Sequence, residues 1–160
     1  MKKLFLLSLM FGCLLLSCNK DKNISNKNNR LTGNWTRQLN DDSGVRKIIE
    51  QYQFKNDGSY EFAVKAVTPR NYDLLGYVRK TSGQYRINGD LLIFYNSTTY
   101  MADQIKSPYA SEEKLIKVDD TASETKANYR IENDASKLTI TLPCPPNAFF
   151  CIGSVIYNRN

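Results

Sequence analysis

The side chains in this chain that could do chemistry are four cysteines and a few adjacent carboxylates, and there is no histidine. Without histidine there is no Ser-His-Asp or Cys-His relay, no imidazole zinc ligand and no ordinary general base near pH 7. Paired carboxylates can hydrolyse glycosides when they face each other across a substrate. Glu112-Glu113 and Asp119-Asp120 are instead sequence neighbours in a polar, lysine-bearing stretch, the pattern of a solvated surface. No glycine-rich phosphate loop and no Cys-x-x-Cys is present. The expectation is a chain that is not an enzyme, with no cofactor and no metal.

The cysteines carry more information. Lys2 and Lys3 precede an apolar stretch from Leu4 to Leu16, which is signal-sized and shorter than the roughly 20 residues a spanning helix needs. The stretch ends in Leu15-Leu16-Ser17-Cys18. This string resembles a bacterial lipobox, in which the cysteine sulfur takes a diacylglycerol thioether and, once acylated with palmitate-like chains, becomes the mature N-terminus. Cys13 fits that pattern less well, because Met10 and Phe11 precede its Gly12. A plain secretory signal or an uncleaved anchor is the alternative. Each buried CH₂ of the acyl chains adds about 0.8 kcal/mol of membrane affinity. The resemblance therefore implies membrane attachment at Cys18 without a spanning segment. Asn19, in place of the aspartate of the best-known retention rule, directs the expectation to a Gram-negative outer membrane. Which face of that membrane the domain occupies is left open.

Three regions follow: 1–17 as signal peptide, 18–30 as flexible tether and 31–160 as one domain. The formal net charge of +6 falls by two when Lys2 and Lys3 leave. Much of the rest lies in Lys20, Lys22, Lys27 and Arg30, within an Asn- and Lys-rich stretch that has little to bury. The domain's other charges are mixed in sign, so no nucleic-acid partner is expected.

From Leu31 onward the hydrophobic pattern has period two. In "VRKIIEQYQFKNDGSYEFAVKAV" the Asn56-Asp57-Gly58 turn folds a hairpin that pairs Phe54 with Tyr60 and Tyr52 with Phe62. Val64 extends that face, and Gln51, Gln53, Lys55, Glu61 and Lys65 occupy the other. In "SGQYRINGDLLIFY" Asn88-Gly89 signals a type I′ turn. A two-residue loop there puts Tyr85, Ile87, Leu92 and Phe94 on one face, whereas a three-residue loop aligns Ile87 with Leu91. A third hairpin sets Tyr129 and Ile131 against Leu138, Ile140 and Leu142. "LTGNWTRQL" opens the domain and "SVIYNR" closes it, with short strands at Leu75–Lys80 and Lys114–Val118 and a helical turn or two at Tyr100–Lys106. About 8–10 strands joined by hairpins predict an all-β fold, an antiparallel up-and-down β-barrel or a sandwich.

The string "LTGNW" resembles the Gly-x-Trp signature of lipocalins, here Gly33-Asn34-Trp35. "YQFKNDGSYEF" and "SGQYRINGDLLIF" look like repeats of bacterial lipocalin-like lipoproteins, and the resemblance runs in order across residues 31–160. It implies a lipocalin-like barrel in which Trp35 closes one end and an arginine near the last strand stacks over it. Arg159 sits where that arginine would fall, with Arg37 as the alternative. The long polar insert Asn96–Thr125 departs from the vertebrate-type pattern.

Cys144 and Cys151 remain outside the cytoplasm once the signal is removed, and six residues lie between them. Their pairing would staple a proline-rich loop and contribute roughly 2.5 kcal/mol in the chain-entropy model. The loop presents Phe149 and Phe150 either to a ligand at the rim or as a plug. Asp120-Thr121-Ala122 matches a short bacterial O-glycosylation motif at Thr121. The functional expectation is an envelope lipoprotein that binds or carries a small hydrophobic molecule, with Tyr52, Phe54, Tyr60, Phe62, Tyr85 and Phe94 lining the cavity or its floor. The alternative is a filled barrel serving as a non-catalytic interaction module.

Overall fold

A computed structural model describes residues 30–40, 44–119, 124–144 and 153–160. The lipobox with Cys18, the tether to residue 29, Thr121, Phe149, Phe150 and Cys151 lie outside these residues. The Cys144–Cys151 pairing therefore falls partly outside them as well.

Nine strands run in chain order: β1 (Gly33–Asn40), β2 (Lys47–Phe54), β3 (Ser59–Val67), β4 (Leu74–Asn88), β5 (Leu91–Met101), β6 (Ile116–Val118), β7 (Glu124–Ile131), β8 (Lys137–Thr141) and β9 (Ser154–Arg159). They form one antiparallel sheet in which sequence neighbours pair around a closed ring, completed by β9 against β1 and β4 against β5. Closure removes the free edges that an open sheet would expose. The ring is uneven. β4 has 15 residues and β8 only 5, and one edge of β5 is shared by β7 along Leu91–Tyr95 and by β6 along Thr99–Met101.

The first hairpin has the predicted register, with Phe54 opposite Tyr60, Tyr52 opposite Phe62 and Glu50 opposite Val64. Gly58 closes its turn with a φ of +81°, a conformation that costs glycine nothing. The second hairpin takes the two-residue loop, with Ile87 opposite Leu92 and Tyr85 opposite Phe94. Its central residues are Gly89 and Asp90, and only Gly89 has a positive φ. That is the glycine-first pattern of a type II′ turn, which corrects the type I′ expectation. The third hairpin pairs Tyr129 with Ile140 and Ile131 with Leu138.

Two further expectations are corrected. Leu75–Lys80 is no separate strand, because β4 runs unbroken from Leu74 to Asn88. The polar stretch from Asn96 begins as strand: β5 continues to Met101 because Thr98, Thr99 and Tyr100 pair with Ser82, Thr81 and Lys80. That leaves one turn, closed by the Ser107 amide donating to the Asp103 carbonyl at 2.9 Å, where a longer helical segment was open.

The core sits inside the ring. Leu31, Trp35, Phe54, Leu92 and Leu138 are its largest fully buried side chains. All of them lie at the end where β1 begins, the end closed by the three tight hairpins. The interior is therefore packed at that end, and its opposite end is ringed by longer connections.

Candidate functional site

The closed end is organised around Trp35. Its indole Nε1 donates to the Leu31 carbonyl at 2.7 Å, and the Arg159 guanidinium lies 4.8 Å from the ring centroid. Arg159 also donates to the carbonyls of Arg30 and Thr32, which ties the final strand to the chain entering the ring. Gly33, at φ +127°, faces the same guanidinium; a Cβ there would sit 3.5 Å from Arg159 Nη2 in a backbone conformation that other residues rarely adopt. The structure thus brings Gly33, Trp35 and Arg159 together. Arg37, the alternative stacking partner, lies 5.8 Å from the Tyr157 ring instead.

Above this floor the aromatic rings form a continuous cluster. Tyr52 is its hub, stacking on Phe54 at 5.4 Å, tilting against Phe62 at 4.5 Å and meeting Tyr157 edge-on at 5.2 Å. Phe94 bridges to the other wall, 4.7 Å from Tyr60. Such offset and edge-to-face pairs each add about 0.5–1.5 kcal/mol beyond their buried area. Phe54 and Tyr85 pack edge-on at 5.0 Å within the floor. The Tyr85 hydroxyl donates to the Lys55 carbonyl.

A cavity of about 280 Å³ opens on the side of Tyr52 away from Trp35. Of the six aromatic residues singled out in the sequence, Tyr52, Tyr60, Phe62 and Phe94 border it. Phe54 and Tyr85 do not, because they are sealed beneath it, 1 % and 5 % exposed. Val155 and Leu142 add apolar wall, and Ser97 and Thr81 add hydroxyls. Tyr60 shares a 2.8 Å hydrogen bond with Ser97, and Thr81 shares one with Thr99.

The cavity also holds charges that the sequence did not place there: Arg37, Glu50 and Arg79. Glu50 Oε2 accepts from Arg37 Nε at 3.0 Å, Arg37 Nη2 at 2.8 Å and the Tyr157 hydroxyl at 3.1 Å. Arg79 lies opposite Val64, its guanidinium 5.9 Å from the Phe62 ring. The signal for these residues was phase. Arg37 follows Trp35 by two, Glu50 precedes Tyr52 by two, and Arg79 precedes Thr81 by two, so alternation points all three inward.

Burial sets the ionisation of the cavity tyrosines. It pushes the Tyr52 hydroxyl well above its ordinary value of 10.0, with Tyr60 and Glu50 adding and Arg79 and Arg37 opposing. Burial does the same to Tyr157, reinforced by Tyr52 and by Glu50, and opposed by Arg37. Tyr85 and Tyr129 are raised by burial too. A phenol with a raised folded pKa contributes stability that is complete below the unfolded value and is lost as pH climbs above it. Tyr52 and Tyr157 are expected to ionise only well above pH 10, in one cooperative step with loss of strand signal. Absorbance at 295 nm and circular dichroism followed together test this, and Tyr52→Phe should move the cooperative step to higher pH. Ionisation of Tyr52 and Tyr157 with circular dichroism unchanged would contradict it.

A wider groove of about 470 Å³ lies on the outer wall beside Lys80, Tyr100 and Glu112. Its charges are already matched: Lys80 pairs with Glu112, and Glu61 pairs with Lys55. Glu112 and Glu113 occupy a short 3-10 turn on the surface. Among the described residues no cluster of three or more His, Cys, Asp or Glu side chains could hold a metal ion. Comparison with family models, curated proteins and solved structures finds no match to this chain.

Proposed function

We propose that this chain is a lipid-anchored envelope lipoprotein, tethered through Cys18, whose lipocalin-like barrel binds or carries a small, largely hydrophobic molecule. The observation that carries the reading is the interior cavity. It is closed below by Trp35 and the Phe54–Tyr85 pair, walled by aromatic rings, and just under the usual range of about 300–1,000 Å³ for ligand sites. An apolar occupant gains because both it and the rings leave water, while tyrosine hydroxyls orient a polar end. The order of the chain supports the placement: a lipobox-like seam, then a polar tether, then the domain. On this reading the protein lies at the outer membrane, acts without catalysis or cofactor, and has no nucleic-acid partner. A Cys144–Cys151 disulfide belongs to the same proposal and would staple the loop between β8 and β9.

A second reading is favoured by the density of the ring cluster. Tyr52 alone meets four other aromatic rings, which leaves a modest space inside. In that case the barrel is a filled interaction module and its loops do the work. Titration of wild type and of a Tyr60→Ala/Phe62→Ala variant with an environment-sensitive apolar dye separates the two. The carrier reading expects saturable one-to-one binding to wild type and at least a tenfold loss in a variant that keeps its strand signal. Dye binding unchanged by the substitutions would place it outside the cavity and overturn the assignment.

A further inference from the structure

The cavity contains one more positive charge than its own side chains neutralise. Among the described lining residues the ionised groups are Arg37, Arg79 and Glu50. Glu50 is engaged on one edge by both Arg37 nitrogens and by Tyr157, so that wall is locally balanced. Arg79 stands on another strand. Its Nε donates to Thr81 Oγ1 at 3.3 Å, and among the described residues no carboxylate lies within ion-pair distance of its guanidinium. A guanidinium has five donors in a planar fork and stays charged at any ordinary pH. Lodged against Phe62 at the edge of an aromatic chamber, it leaves most of those donors directed to solvent or to an occupant.

Tyr52 adds a donor to the same chamber. Tyr52 lines the cavity, and its hydroxyl lies within electrostatic reach of Glu50, Arg79 and Arg37 with no hydrogen bond to any of them. Burial holds it protonated well past its ordinary value, and Arg79 is near enough to act on its ionisation. An unmatched cation and an unused hydroxyl donor, beside rings and aliphatic wall, favour an acceptor with a single negative charge.

We infer that the occupant is a small monocarboxylate with an apolar body, its carboxylate received by the Arg79 guanidinium and the Tyr52 hydroxyl. Its apolar part then rests on Phe62, Phe94, Val155 and Leu142. This deepens the carrier reading and rests on it. Charge-assisted hydrogen bonds of this kind discriminate by about 10- to 100-fold between an acid and its neutral counterpart.

The test is calorimetric titration of the full mature chain in nanodiscs, with empty nanodiscs subtracted, using octanoate, octanol and octylamine. The expected result is octanoate bound at least tenfold more tightly than octanol, with octylamine weakest. Arg79→Gln should abolish the preference for octanoate while leaving octanol unchanged, and Arg79→Lys should restore part of it. Octanol bound as tightly as octanoate by wild type would overturn the inference and leave the carrier reading standing. No binding of any of the three would overturn both. The wild-type comparison of octanoate with octanol decides the matter even if Arg79→Gln does not fold.

Discussion

Replacing Trp35 by alanine is expected to destabilise the domain by about 4 kcal/mol, within the range for truncating a buried aromatic side chain. The indole is fully buried, so the substitution leaves a void at the one end of the ring where the packing is continuous. It removes the donor to the Leu31 carbonyl and the ring beneath Arg159 in the same step. Closure of the sheet depends on this corner, because β1 meets β9 through Trp35 opposite Arg159 and Thr36 opposite Asn158. Domains of this kind have only about 5–15 kcal/mol of total stability, so the variant should unfold at a much lower urea concentration. Arg159→Ala should follow in the same direction at about 1–2 kcal/mol, since its stacking and carbonyl contacts are partly open to solvent. Equilibrium urea unfolding of both variants is the check. A Trp35→Ala loss under 1 kcal/mol would mean that the end does not depend on the ring.

Glu50→Ala is expected to be the most damaging change inside the cavity, at about 2–3 kcal/mol. The carboxylate is 15 % exposed and its partner Arg37 26 %, so both are sheltered without being sealed. Removing it strands three donors at once: two on Arg37 and the Tyr157 hydroxyl. The chamber is then left with two uncompensated guanidinium groups. The penalty arises from what is left behind, so a paired change should recover most of it. Arg37→Met combined with Glu50→Leu should come within about 1 kcal/mol of wild type, because similar volume is kept and no buried charge is orphaned. A double-mutant cycle by urea unfolding measures this. A single Glu50→Ala change that proves neutral would show that water already satisfies the Arg37 site.

Much of the fold was legible in local chemistry. Asn56-Asp57-Gly58 and the alternation around it fix the register of β2 and β3, since a one-residue slip would turn Tyr52, Phe54, Tyr60 and Phe62 to solvent. The Trp35–Arg159 stacking was legible through the family-like Gly-x-Trp string and the position of the last strand. Two features hid from this reading. Polar threonines read as loop, yet Thr98 and Thr99 are strand, because β4 supplies the ladder partners they need. The apolar alternation assigns no cavity role to charged residues, yet Arg37 and Glu50 face inward, because each neutralises the other. Their inward phase was present in the spacing, but a pattern scored only on apolar residues passes over it. Alternation gave the lining face but not the depth along it: Phe54 and Tyr85 sit close to the closed end and form the floor, whereas Tyr52, Tyr60, Phe62 and Phe94 border the cavity.

The central claim is that the ring holds a small molecule. Native mass spectrometry of the full chain, purified from its native host in mild detergent, addresses it most directly. The account predicts a reproducible one-to-one adduct, distinct from the covalent lipid proposed at Cys18, that is released on denaturation and is lost in the Tyr60→Ala/Phe62→Ala variant. A chain without any releasable adduct, unchanged in mass after incubation with a total lipid extract, would contradict it.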